Sequence, residues 1–347
     1  MGKGGMMDLE HFWRAGREFL GVRYPIICGA MTWISDHRLV ADVSREGAFA
    51  SLAAGNLAPD VLRREIEQTR SVTDRPFAVN LITIAPRYRQ HLDVISEMKV
   101  PVVIFAGSFP RASEIAMVKR TGCKAVCFAS NESIARRMIR FGADALILEG
   151  NEAGGHVGHV SLTILIQQIL FHVDQVPIFV AGGIASGRLI AHLLLMGAAG
   201  VQLGTRFVLS KECRVHPAFK EAFVRARARD AVASPAVSSD LHVVPVRAIR
   251  NQGTEEFADL QVDLLMRRRR GEISQAEAQH RVEEYWMGAL QRAVQQGDVH
   301  RGSLMAGQSV GLAHGIQSLR EIIQELVADA GEELNRIHRK LCSVERT

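Results

Sequence analysis

"VPIFVAGGIASGRLIAHLLLMGAAGVQLGTRF", residues 176–207, decides the fold. It opens on an uncharged apolar run to Ala181, turns at Gly182 and Gly183, and resumes with a helical period. In that second part Leu189, Ile190, Leu193 and Leu194 share one face, Ser186 is placed to cap the start, and Gly197 to stop the end. A second apolar run, residues 200–205, follows at once. A strand buried on both faces reads as a continuous run, so strand–helix–strand here means parallel pairing with the helix outside.

The same unit repeats upstream. Apolar runs stand at 24–30, 48–54, 76–82, 100–106, 124–129 and 144–150, and helical patterns such as "SDHRLVADVSREG" lie between them. With the two runs above, that makes eight, the number that closes a (β/α)8 TIM barrel. An open doubly wound sheet would more often use fewer strands, and no GxGxxG opens the first helix.

From about residue 211 the beat stops. "ECRVHPAFKEAFVRARARD", "EISQAEAQHRVEEYWMGALQRAVQQG" and "IQSLREIIQELVADAGEELNRIHRKL" read as helices without intervening strands. The expected organisation is therefore a barrel over residues 18–210, completed by 300–330. A C-terminal helical cap, the substrate domain, is inserted after strand eight over 211–299, and a helical tail occupies 331–347.

The chain has 347 residues, 47% hydrophobic and 23% charged, which allows a sizeable core and argues against disorder. The net charge is +5. Its densest basic run, Arg267–Arg270, has no interleaved aromatics, so nucleic acid is disfavoured as a partner. The run reads first as a solvated helix face and second as a docking patch for an acidic partner. Five cysteines without CxxC spacing fit free thiols in a reducing compartment. No run is long enough to span a membrane, and the start "MGKGGMMDLEHFW" lacks the build of a signal peptide, so a soluble cytoplasmic protein is expected.

In this fold chemistry sits where strands end and the following loops begin. The informative residues there are Gly29, Ala30 and Met31 after the first strand and Asn80 in the third. Ala181, Gly182 and Gly183 follow the seventh, and Gly204 and Thr205 the eighth. Glycines let main-chain N–H groups approach an anion, and the helix beginning near Ser186 adds the positive end of its dipole, so these last loops read as a phosphate cradle. A helix end contributes only about 0.3–2 kcal/mol, whereas micromolar affinity needs about 8 kcal/mol. A retained phosphorylated ligand must therefore also bury an apolar body, and a flavin ring suits the mouth around Met31.

After the sixth strand comes "EGNEAGGHVG", residues 149–158. On its residues alone His156 reads first as an ordinary loop histidine. A metal pair with His159 is disfavoured, because the glycines break any helix that would align the two rings and no third ligand stands out.

"PIICGAMTWISD", "FAVNL", "EGNEAGGHVG", "VAGGIASGRLIAHLLLMGAAGVQLGTRF" and "GDVHRGSLMAGQSVGL" together resemble the nitronate monooxygenase (2-nitropropane dioxygenase) superfamily, which includes the flavin-dependent enoyl-acyl-carrier-protein reductase II enzymes. The resemblance runs over residues 18–328, and the E-A-G-G-H-x-G element is its most specific part. It implies FMN on the carboxyl face of the barrel, held by Gly29, Ala30, Met31, Asn80, Glu149, Gly154, Gly155, Ala181, Gly182, Gly183, Gln202, Leu203, Gly204 and Thr205. It makes His156 the active-site histidine, an imidazole able to exchange a proton near neutral pH. Ser303, Met305 and Gln308 would cover the substrate side. The chain departs from the family at Ala30, where Gly is usual, and at Glu149, where monooxygenases often carry Gln and the reductase branch tolerates Glu.

The first function implied is oxidation of alkyl nitronates by FMN and dioxygen. The alternatives are an NAD(P)H-dependent enoyl-acyl-carrier-protein reductase, with acyl carrier protein as partner, and an NAD(P)H:quinone reductase. "GTRFVLSKEC", "HPAFKEAF" and "VRAIRNQ" look closer to the reductase branch. A flavin-binding module without turnover and a phosphate-sugar barrel enzyme without flavin are the readings from other classes. A homo-oligomer is compatible with any of these.

Overall fold

The computed structural model describes residues 8–235, 237–241 and 244–344. Six strands come first: β1 (Ile26–Cys28), β2 (Phe49–Ala53), β3 (Ala78–Ile82), β4 (Val102–Ala106), β5 (Lys124–Ala129) and β6 (Ala145–Glu149). A two-residue strand β7 (Gly155–His156) stands outside the barrel, and β8 (Ile178–Ala181) and β9 (Gly200–Leu203) complete it. These eight barrel strands pair in parallel around a closed ring, β9 returning to β1 through Ile26–Val201, Ile27–Gln202 and Cys28–Leu203. Each strand falls inside one of the eight apolar runs of the sequence.

The two-residue alternation of strands divides the core. Ile27, Phe49, Ala78, Val102, Ile104, Val126, Ala145, Ile147 and Phe179 form one buried cluster, the filling of the barrel. Their neighbours, among them Val79, Leu81, Val103, Leu146, Leu148 and Val180, belong to a larger cluster shared with the surrounding helices. Both faces being buried is why the strands read as unbroken apolar runs. The helix Arg14–Leu20 joins the inner filling through Phe19 and Leu20, with the Phe19 and Phe179 rings 5.9 Å apart.

The helix Gly187–Leu195 starts as its sequence predicts: the Ser186 side chain accepts the Leu189 N–H at 3.3 Å. Its buried face differs. Leu189 is 38% exposed, while Gly187, Ile190, Ala191 and Leu194 are buried. Those four follow the i, i+3, i+4, i+7 stripe, and the closing helix Leu319–Val344 lies so close that a Cβ on Gly187 would fall 2.1 Å from the Leu326 carbonyl oxygen. The last helix sets the stripe, and Leu189 falls beside it.

Beyond β9 the chain is not purely helical. Between helices Pro217–Arg225 and Gln252–Arg269 lie β10 (Ala231–Ala233) and β11 (Val246–Ile249), and helix Gln275–Gln291 follows. These two strands pair antiparallel with each other, and β11 also pairs with β7, so a three-stranded sheet fastens the loop after β6 to the cap. Strands of two to four residues carry no readable period, and half of this sheet's logic comes from a segment some 90 residues away, so the sequence shows only helices here. Trp286, Phe257, Leu264 and Val282 form a separate core for this part, the Phe257 and Trp286 rings lying 4.3 Å apart. Within the basic run, Arg267 pairs with Asp263 and Glu272, and Arg270 with Glu272 at 2.7 Å. No helix among the described residues is long and apolar enough to cross a membrane.

Candidate active site

The carboxyl ends of the barrel strands surround a cavity of about 200 Å³. Of the residues singled out in the sequence, Gly29, Ala30, Met31, Glu149, Gly154, Gly155, His156, Ala181, Gly182, Gly183, Gln202, Leu203, Gly204, Thr205 and Met305 line it. Three do not. Asn80 sits on β3, 8% exposed, and Ile82 two residues along takes the wall in its place. Ser303 is buried, and its hydroxyl has no hydrogen-bond partner among the described residues. Gln308 is engaged through its main chain, donating N–H to the Glu152 carbonyl at 2.9 Å, and Ser309 reaches the wall instead. In an irregular loop no period tells which of two neighbours points inward.

One side of the cavity is main chain. Gly182 and Gly183 have φ of +93° and +71°, a backbone that L side chains rarely adopt. Successive residues in such conformations turn their N–H groups toward one concavity. The N–H groups of Gly182, Gly183, Ile184 and Ala185, and those of Gly204 and Thr205, donate to no acceptor among the described residues. Ile184 and Ala185 are buried, and buried amides are nearly always paired. An array of unpaired donors beside a capped helix start fits an anion such as a phosphate.

The loop after β1 is held differently. Ser35 Oγ accepts the Met31 N–H at 3.0 Å and donates to the Gly29 carbonyl at 3.2 Å. Between them Trp33 takes a left-handed backbone at φ +65°, a strain of about 1–3 kcal/mol of the kind found beside functional sites. The Thr205 hydroxyl accepts the Gly307 N–H at 3.0 Å, tying the returning segment 302–312 to the mouth.

The opposite side is side chain. His156 lies on β7 in register with Val246 of β11, and Arg247 next to it donates to the Asn151 and Ala231 carbonyls at 2.9 and 2.6 Å. His156 Nε2 is buried and makes no hydrogen bond, and the Glu283 carboxylate of helix Gln275–Gln291 stands 3.5 Å from it. Leu290 of the same helix reaches the cavity wall, and Asn56 after β2 contacts Met287 at 3.4 Å, so this helix roofs the mouth. Glu149 closes the floor between the two sides. It is half-buried where β6 ends on the cavity, and burial pushes its carboxyl up to about 8. Glu283 and Leu290 are not legible as site residues, because the sequence does not say which flank of the cap helix faces the barrel, and Ser35 acts on the site only through the Gly29 and Met31 main chain.

Cys28, at the end of β1, is buried and its thiol is pushed up by burial, which suits a packing residue. All five cysteines are free.

A closed parallel barrel whose carboxyl face sets unpaired main-chain amides opposite a histidine under a helical roof has the layout of an enzyme site on a TIM barrel. The nitronate monooxygenase family profile matches residues 15–88 and 82–329, and the chain belongs to that family. It is 29% identical over 343 residues to the (3aS,4S,5R,7aS)-5-hydroxy-7a-methyl-1-oxo-octahydro-1H-indene-4-carboxyl-CoA dehydrogenase of Rhodococcus jostii (strain RHA1), covering 92% of this chain and 96% of that one. Among solved structures it is similar to FabK from Thermotoga maritima, with a TM-score of 0.82, 35% identity and coverage of 94% and 98%. It is also similar to a nitroalkane oxidase from Streptomyces ansochromogenes, with a TM-score of 0.78, 26% identity and coverage of 93% and 99%. The protein is an enzyme of the nitronate monooxygenase type, an oxidoreductase.

Proposed function

We propose that this enzyme uses FMN to move electrons between a nicotinamide nucleotide and a substrate presented as a thioester of coenzyme A or acyl carrier protein. The observation that carries the choice of substrate is the charge of the cavity. No lysine or arginine is among the residues that line it, the Glu149 carboxyl is in its wall, and the Glu283 carboxylate stands beside its histidine. An anionic nitronate entering such a wall meets no fixed positive charge, whereas a thioester carbonyl is neutral and needs none. The Rhodococcus jostii relative is named as a carboxyl-CoA dehydrogenase, which supports the same choice.

The residues present fit the cofactor. The unpaired amides at 182–185 and 204–205 would hold its phosphate, and Gly29, Ala30 and Met31 would border its ring. FMN, when bound, supplies the two-electron exchange. The chain supplies the rest: His156 gives or takes the proton at the reacting carbon, Glu149 keeps its own proton at neutral pH, and Ile82, Leu290 and Met305 exclude water from the mouth.

The second reading, nitronate oxidation with dioxygen, is favoured by the family itself and by the likeness to the nitroalkane oxidase. Purified enzyme is expected to be yellow and to release FMN on denaturation. Anaerobic mixing then separates the readings. Rapid bleaching by NADH or NADPH, with colour returning on addition of an enoyl thioester, is the expected result. Bleaching by an alkyl nitronate alone, with none by either nicotinamide, would establish the second reading in its place.

A further inference from the structure

We infer that Glu283, carried in from the cap, is the positioning residue of His156: it accepts the Nε2 proton and leaves Nδ1 as the nitrogen that exchanges protons with substrate. This rests on the proposed acid–base role of His156 and extends it to a residue on a different element.

The geometry is specific to one nitrogen. Nε2 is shut away from solvent and forms no hydrogen bond, and the Glu283 Oε2 atom lies 3.5 Å away. A neutral imidazole carries one proton, and the partner of one nitrogen decides which. A carboxylate can only accept, so it selects the Nε2–H form. Nδ1 is then the lone-pair nitrogen, and it belongs to a residue that lines the cavity.

The placement of both partners is built into the fold. The His156 backbone is fixed by β7 in register with Val246, and Arg247 pins the neighbouring loop. Glu283 follows Val282, whose side chain is buried with Ala278 and Trp286 in the core of the cap. That packing turns the next residue along the helix toward the barrel mouth. Glu149 lines the same cavity, and Arg247 on β11 is committed to the Asn151 and Ala231 carbonyls. Glu283 is thus the carboxylate available to the ring on the Nε2 side, and a cap displaced from the mouth would take it away.

The test pairs a structural signature with kinetics on the holoenzyme. In protein labelled with nitrogen-15 histidine, a slowly exchanging imidazole N–H resonance, assigned to His156 by its loss in His156→Asn, is expected at about pH 8, where an ordinary imidazole is neutral. Glu283→Ala, which leaves no acceptor for the Nε2 proton, is expected to lose this resonance and to lower kcat about 10-fold or more. The KM values and the flavin content should stay within about twofold. Removal of a buried triad carboxylate has a larger effect, about 10⁴-fold, and Glu283 is partly exposed, which sets the smaller figure. Glu283→Asp is expected to recover part of the rate. A His156 resonance that persists in Glu283→Ala overturns the contact, and an unchanged kcat overturns the positioning role. The resonance reports on the contact whichever substrate the enzyme uses, so its failure is distinct from failure of the thioester reading.

Discussion

The two sides of the barrel mouth are made of different material. Around β8 and β9 the site consists of main-chain N–H groups on a glycine backbone that the fold itself holds in place. Around β7 and the cap it consists of side chains, His156, Met305, Leu290 and Glu283, brought together by a small sheet and a helix. Main-chain groups recognise an anion whatever reaction follows, so the first side suits a cofactor. Side chains can change without loss of the fold, so the second suits the chemistry and the choice of substrate.

Mutation of the second side alone tests this division most severely. His156→Ala is expected to lower turnover by about 10²-fold or more, the usual scale for an acid–base group, while FMN stays bound. Visible absorbance and turnover measured on one preparation decide it. A colourless variant would mean that the histidine side also holds the cofactor, and the division would fail.

The converse substitution sharpens it. Gly183 has φ +71°, and a Cβ there would lie 3.3 Å from the Glu152 Cβ. Left-handed backbone costs an alanine about 1–2 kcal/mol, and relaxing away from it turns the N–H out of the cradle. Gly183→Ala is therefore expected to weaken FMN binding about 10-fold. With FMN at saturating concentration the turnover should return close to that of the parent. Fluorescence titration of the apoprotein reads the first quantity and steady-state assay the second.

The same contrast explains what could be read from the chain. The glycine side lies on long apolar strands and capped helices whose periods are visible, so all eight strands and the loops after the seventh and eighth were legible. The cap side was partly legible. "EAGGHVG" announced His156 through its likeness to a family, but the strand that fixes it has two residues and its partner lies at Val246. Glu283 and Glu284 are indistinguishable in the sequence, and only the packing of Val282 and Trp286 decides which faces the histidine. Ser303 and Gln308 show the same limit: a loop without a period announced the right segment, and Met305 and Ser309 reach the wall.

Glu149 stands on the boundary, in register with Ala181 across β6 and β8, and gives the smallest and most quantitative test. Burial pushes its carboxyl from the ordinary 4.5 up to about 8, so the folded apoprotein keeps a proton that the unfolded chain releases. Between those values the unfolded state binds fewer protons, and stability falls as pH rises. Below about 4.5 both states are protonated and the penalty vanishes, and above about 8 both are ionised and it grows no further. Glu149→Gln removes the titration and keeps the size and a hydrogen-bonding end. The melting temperatures of the two apoproteins should therefore agree near the acid end of the window and part steadily toward its alkaline end. The variant should finish up to about 10 °C higher, since a chain longer than 250 residues shifts by less per kcal/mol than the about 2–4 °C of smaller domains. A constant offset across the window would mean that the cavity floor is wet enough to let Glu149 ionise as in water. The main-chain and side-chain sides would then be joined through solvent rather than separated by a neutral acid.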